Sequence, residues 1–301
     1  MRREVKFRNF TWINIVEPTN KDFDFLEEKY HFHHLAMEDC RISIQQPKID
    51  EYDNYLFMVF HLPRYLKQQR RTVALELNVF LGKNYLITIH NGDLKPLNNY
   101  FDQIAKNTAK LKYTMPAYLL YEILSTSFNY CFPMLEKIGL SLDRVEDDLY
   151  ADQSRRTLEE LSIIAQDIIN FRRVIRPQRY FMKDLDQVKT KFITEKLEFY
   201  YEDIADKIDR IWELLDSNKE VVDVLQRTNE SLLTQRLNEV MKILTIISVI
   251  MLPLTVITGF YGMNVVGLPF AHSAYAAAIV FGLLIFVGVV MLFYFRKRNW
   301  V

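Results

Sequence analysis

Between Lys242 and Arg296 there is no charged side chain, so 53 consecutive residues, 243–295, lack Asp, Glu, Lys and Arg. That gap excludes a purely soluble protein. Cysteine is almost missing: Cys40 and Cys131 form neither a CxxC pair nor a disulfide framework, which leaves reduced or inert thiols. Glycine is scarce, with eight in 301 residues and none between Gly139 and Gly259, and proline is absent from 178 to 252. Net charge is also lacking, 38 basic against 38 acidic side chains. No global excess of cations can neutralise a phosphate backbone, so a nucleic-acid partner is not expected. Residues 1–6 carry no apolar run after their basic side chains, and no secretory signal is read there. There is no Gly-rich phosphate loop, Ser elbow or His-Glu-x-x-His, so no catalytic residue and no organic cofactor are assigned.

What is present divides along the chain. Residues 1–112 read as a mixed sheet with flanking helices, an α+β arrangement. Candidate strands are 10–17, 55–61, 72–81 and 85–90, rich in β-branched and aromatic residues. Gly82-Lys83-Asn84 joins the last two as a hairpin. Helices are expected over 20–30 and 97–110. From about 113 the pattern is helical, and the breaker-free run 178–252 as one helix would span roughly 110 Å at 1.5 Å per residue. The divisions read from the sequence are a cytoplasmic α/β domain at 1–112 and a helical region at 113–190. A stalk follows at 191–242, the first span at 243–260, an outer loop at 261–273, the second span at 274–295 and a basic tail at 296–301.

Both spans suit a hydrocarbon layer about 30 Å thick. Arg236 and Lys242 precede the first, and Arg296-Lys297-Arg298 follow the second. The positive-inside rule then places both termini in the cytoplasm of a multi-pass protein of the cell membrane, with lipid as one partner. On the first span Asn238, Met241, Thr245, Ser248, Leu252, Thr255 and Gly259 follow a three-four spacing, within about a 100° arc of the helix. Ile243, Ile246, Ile247, Ile250, Leu254 and Ile257 lie opposite. A small and polar stripe serves either close helix packing or the lining of a narrow neutral pore. Two spans cannot enclose a pore alone, so the second reading demands an oligomer.

Directly after the first span stands Tyr261-Gly262-Met263-Asn264, inside Gly259-Phe260-Tyr261-Gly262-Met263-Asn264. Two glycines there allow a sharp turn at the membrane surface. Gly-Met-Asn after the first of two C-terminal spans resembles the CorA family of magnesium channels. Residues 238–245 upstream, Pro253 within the span and the terminal Arg296-Lys297-Arg298-Asn299-Trp300 are similar to the family's pattern. So are His34-Leu35-Ala36-Met37-Glu38-Asp39, Gln46-Pro47-Lys48-Ile49-Asp50-Glu51-Tyr52 and residues 82–88, and the likeness covers essentially the whole chain. It implies a funnel-shaped homopentamer whose long stalk helix becomes the inner pore helix. It further implies that Asn264 rings the outer mouth and receives hydrated Mg2+. Thr255, Leu252, Thr245 or Leu244, Met241 and Asn238 then line the path inward, which coincides with the stripe read from spacing.

Magnesium sheds water reluctantly. With no carboxylate in residues 243–295, neutral dipoles would hydrogen-bond its water shell, and Leu252 and Met241 could close the path by dewetting. The stalk carries an acidic stripe, Asp203, Asp206, Asp209, Glu213, Asp216, Glu220 and Asp223, ordinarily a solvated helix face. The resemblance singles out Asp203, with Asp206, for a regulatory Mg2+ between subunits, so that loss of intracellular magnesium opens the channel. Three departures stand against a simple transfer. Residues 66–69 hold Lys67 and no carboxylate where some relatives have an acid, Arg227 stands where an acidic ring would be, and residues 265–273 have only His272 as an ionisable group. The expected cargo is magnesium, with cobalt or nickel as further substrates. The alternative is a zinc transporter of the related ZntB type, with or without proton coupling, which the neutral loop favours. A tether carrying a sensor domain is a third reading, opposed by the polar stripe. His31, His33, His34, Glu38, Asp39 and Cys40 look zinc-like in composition, but three neighbouring histidines cannot face one ion on a helix, and a polar surface is expected instead.

Overall fold

The computed structural model describes residues 1–42, 46–92, 94–107, 113–151, 154–187, 191–263, 268–269, 275–298 and 300. They fall into two compact units, Met1–Leu225 and Gln226–Val301.

The first unit is built on six strands: β1 (Arg2–Lys6), β2 (Thr11–Val16), β3 (Lys48–Glu51), β4 (Tyr55–Leu66), β5 (Arg71–Gly82) and β6 (Tyr85–His90). Their order is β1-β2-β6-β5-β4-β3, and every neighbouring pair is antiparallel except β2 with β6. The expected hairpin forms, Leu81 facing Leu86 across Lys83-Asn84. A Cβ on Gly82 would run into the Tyr85 ring, which accounts for the glycine there. Two edge strands are additional to the four read from sequence. Arg2–Lys6 and Lys48–Glu51 are short and charged, as edges commonly are, so alternation does not announce them.

Helices α1 (Asn20–Tyr30) and α2 (His34–Arg41) cover one face of the sheet. Thr19 caps α1 through a capping box with Asp22. Phe23, Leu26, Ala36 and Met37 pack there with Ile13, Phe57, Val59, Phe80 and Ile87. The other face carries Trp12, Leu56, Met58, Phe60, Val79 and Leu86. They are covered by α3 (Lys95–Asn107), α4 (Pro116–Asn129), α5 (Cys131–Tyr150), α6 (Ser154–Gln187) and the first part of α7 (Glu195–Tyr261). With both faces covered, β4 is buried continuously from Tyr55 to Pro63, which is why it reads as an apolar run.

The uninterrupted helix expected over 178–252 is not formed. Its first residues belong to α6, which accommodates Pro177 internally, and α7 starts at Glu195. Leu197 N–H bonds the Thr194 carbonyl at 2.7 Å, and Glu195 and Glu198 favour the positive helix start. Along α7, Tyr201, Ile204, Ile208, Ile211 and Leu215 recur every three to four residues on the buried side. In the second unit α7 continues to Tyr261, and α8 covers Ala276–Lys297.

Candidate functional site

Helices α7 and α8 are long and apolar enough to cross a bilayer, and only 6% of the apolar stretch of each is buried. A hairpin in a soluble core would be mostly buried, so that reading is excluded. On α7, Ile246 is buried, and Ile250, Pro253, Leu254 and Ile257 are half-buried. Asn238, Met241, Leu244, Thr245, Ser248, Leu252 and Thr255 are all exposed. At 100° per residue the exposed stripe lies roughly 150° from the centre of the covered face. These seven residues share one side of the helix, with Leu252 the most exposed apolar among them, while Ile243 and Ile247 on the other side are also exposed and Ile246, Ile250, Pro253, Leu254 and Ile257 are covered.

The hydroxyls on this side are engaged in a uniform way. Thr245 Oγ1 donates to the Met241 carbonyl at 2.7 Å, Ser248 Oγ to Leu244 at 2.8 Å, and Thr255 Oγ1 to Met251 at 2.8 Å. Each proton is spent on the helix's own backbone, which leaves the oxygen lone pairs as the outward function. The stripe thus presents three hydroxyl acceptors, Thr245, Ser248 and Thr255, with the Asn238 amide at its inner end and Met241, Leu244 and Leu252 between.

The glycines at the helix end act differently from the expected sharp turn. Gly259 is inside α7, and Gly262 N–H continues the helical pattern to the Thr258 carbonyl at 2.9 Å. A Cβ on Gly262 would stand 3.0 Å from that same carbonyl oxygen, so the close approach, rather than a left-handed backbone, accounts for glycine. Tyr261 ends the helix with its ring edge-on to Phe260, and Met263 follows, half exposed. Asn264, and with it most of the outer loop, lies outside the described residues.

The acidic stripe is largely paired. Asp203 Oδ2 accepts from Tyr121 Oη at 3.1 Å and from Lys207 Nζ at 2.5 Å, and Lys207 also donates to Ser125 Oγ. Asp209 pairs with Arg179 and Asp216 with Arg172, both arginines stacking on Trp212 between them. Asp223 pairs with Lys219. Asp206 is exposed. Hydrogen bonding to the Asp203 carboxylate, after burial, raises the pKa of the Tyr121 hydroxyl. Spacing offers Lys207 and Lys219, each four residues from its acid, but gives no sign of Tyr121, which is 82 residues from Asp203. Among the described residues no three His, Cys, Asp or Glu side chains are grouped to hold a metal ion. That includes the histidine cluster: His33 caps α2 by accepting from Leu35 N–H, Asp39 is taken by Lys48, and burial pushes the Cys40 thiol well up.

The CorA-like Mg2+ transporter model matches residues 7–297. The chain belongs to the CorA family. It is a CorA-like divalent metal ion transporter and a membrane protein. It is 30% identical to the putative metal ion transporter YfjQ of Bacillus subtilis, covering 96% of this chain and 89% of that one. It is 26% identical to the cobalt/magnesium transport protein CorA of Thermotoga maritima, over 97% of this chain and 83% of the relative. Zinc transport proteins named ZntB stand further off, at 18% over 96% of the chain for that of Yersinia pestis. The fold matches the complete CorA magnesium transporter of Methanocaldococcus jannaschii, with a TM-score of 0.89 at 21% identity, over 99% of this chain and 94% of that one.

Proposed function

We propose that the chain assembles as a homopentamer in the cell membrane, both termini cytoplasmic, and conducts Mg2+ inward down the membrane potential. The observation that carries this reading is the open, uncharged acceptor stripe of α7, turned away from its covered face and leading to Gly-Met-Asn. A hydrated cation presents water hydrogens outward, so lone pairs are what its shell needs. No charged group strips the ion, in keeping with its reluctance to lose water. Asn264 would form the outer ring, with Tyr261, Gly262 and Met263 shaping its approach. Met241, Leu244 and Leu252 would supply the dewetting constrictions. The potential contributes about 2.3 kcal/mol per charge per 100 mV, doubled for a divalent ion, so no ATP hydrolysis is required. In this reading 1–190 is the cytoplasmic part, 191–242 the stalk, 243–260 and 274–295 the spans, 261–273 the outer loop and 296–301 the basic tail.

For regulation, one chain offers Asp203 and Asp206, and among its described residues no third acidic or imidazole ligand is grouped with them. A regulatory ion held there would draw ligands from a second subunit and would displace the Lys207 ammonium from Asp203. Zinc is the second reading, favoured by the absence of acid from residues 265–273. Flux into proteoliposomes separates the two. Mg2+ entry that follows an imposed potential and ignores a pH gradient is the expected result. Zn2+ entry that requires the pH gradient, with no Mg2+ entry, would replace magnesium with zinc.

A further inference from the structure

The first unit contains a cavity of about 780 Å3 that the transport reading does not use. It lies between the end of the β4–β5 hairpin, the start of α3, the end of α4, and helices α5 and α6. Its lining is unusual in charge. Arg64, Lys67, Arg70, Lys95, Lys137 and Arg144 all line it, from three separate segments of a chain whose net charge is zero. Asp167 is the only carboxylate among the described lining residues, and it is buried and committed to the Thr72 backbone N–H. Burial raises its pKa, against the lowering effect of the hydrogen bonds from Thr72.

Arg70 forms a salt bridge to Glu160 at 2.9 Å. Its backbone is in the left-handed region, φ 49°, a conformation that costs a non-glycine residue energy. That strained residue fastens the hairpin end to α6 and fixes one wall of the cavity. Lys67, Lys95, Lys137 and Arg144 make no ion pair among the described residues, and all four are exposed at the rim. Like charges gathered around one concavity repel each other, and an anion placed between them would remove that repulsion. Beneath the rim the wall is apolar, with Leu62, Ile138 and Ile164 buried, and two exposed tyrosine rings, Tyr65 and Tyr130, also line it.

This combination fits one ligand class. The volume is that of an organic ligand pocket and far exceeds a single phosphate. Several separated cations match a chain of phosphates, and an aromatic ring beside an apolar wall matches a base. We propose that this cavity binds a nucleoside polyphosphate, its phosphates held by Lys67, Lys95, Lys137 and Arg144 and its base against Tyr65 or Tyr130. The ligand is an effector or passenger of the cytoplasmic unit, separate from the ion path.

Calorimetric titration of the full-length protein in detergent tests this, at physiological salt with EDTA present. The probes are ATP, inorganic tripolyphosphate and adenosine, each titrated separately. Saturable ATP binding of one per chain is expected, tighter than tripolyphosphate, with adenosine alone not binding. The double variant Lys137→Glu/Arg144→Glu, two exposed positions on α5, should weaken ATP by about tenfold or more. Lys21→Glu, an exposed reversal on α1 across the sheet, should leave it unchanged. Three results would overturn the proposal: no saturable ATP binding up to millimolar concentration, tripolyphosphate binding as tightly as ATP, or equal weakening by Lys21→Glu. Thermal melting of the double variant at the wild-type temperature confirms that any loss is local.

Discussion

In the unit formed by residues 1–225, Leu56, Phe57, Met58, Val59 and Phe60 are fully buried, five in a row on a central strand. In the unit formed by 226–301, Leu252, Phe281 and Phe293 are each about two-thirds exposed, and Ile246 and Phe295 are the only buried apolar side chains among the described residues. The same residue types thus make a closed core in one region and an outward surface in the other. A helix pair with no interior satisfies its backbone internally and leaves its side chains to lipid or to other copies. The first unit carries its own stability; the second acquires its environment from the membrane and from assembly. Charge follows the same division, with carboxylates and cations concentrated in the first unit and neutral dipoles left for the ion.

The comparison is broken most severely by Asn264→Ala. Uptake of Mg2+ into cells or proteoliposomes should be lost, while the oligomer still elutes at its wild-type size. Normal uptake would remove the outer mouth from this account. Phe80→Ala probes the closed core, where the ring is fully buried and stacked 4.1 Å from Phe32. It should cost about 3–5 kcal/mol in denaturant unfolding of the first unit. Leu252→Ala, on the open stripe, should leave that unfolding curve unmoved.

Acid gives a third way to separate the units. His90 is buried with neither ring nitrogen hydrogen-bonded, and burial, then Arg3 and the N-terminus, lowers its pKa to about 4. An unfolded chain protonates this histidine near 6.5. Between those values the unfolded state binds the extra proton, so this contribution is complete above about pH 6.5 and is lost as pH falls towards 4. The loss amounts to about 3 kcal/mol at most. His90→Leu should flatten that part of the pH–stability profile measured by thermal melting. The smallest effect is expected at Lys207→Ala: its partner Asp203 is nearly half exposed, and such a pair is worth under about 1 kcal/mol. A larger loss in the isolated oligomer's melting would mean that Lys207 supports more than this ion pair.

Much of the central sheet was legible from its β-branched and aromatic strands, and the Tyr85–His90 strand was read at its observed ends. The charged edges Arg2–Lys6 and Lys48–Glu51 were not, because a strand that faces solvent on one side and repels partners loses the alternation that marks it. The breaker-free run begins after Pro177, yet α6 runs through that proline. Helix α6 is described to Gln187 and α7 begins at Glu195, where the Leu197 N–H bonds the Thr194 carbonyl. For the ion path, helical geometry alone places Asn238 to Thr255 on one side of α7, and exposure adds no distinction, since Ile243 and Ile247 opposite them are as exposed as Met241 and Leu244. The Asp203–Lys207 pair is an i,i+4 contact that spacing offers, whereas the pairing of Asp203 with Tyr121, of Asp209 with Arg179, and the convergence of cations on one cavity required the fold. Those residues are up to 82 positions apart in the hydrogen-bonded cases, and no local pattern connects them.

Cysteine scanning of α7 tests the central claim most directly, because the native Cys40 and Cys131 are buried and burial pushes both thiols up, giving little background reaction. Single cysteines at 245, 248, 252 and 255, and at 246, 250 and 257, would be treated with a cationic thiol reagent during Mg2+ flux. Block at the first four positions and free flux at the last three is the result this account predicts. Block at 246, 250 and 257, or at positions without three-four periodicity, would contradict it.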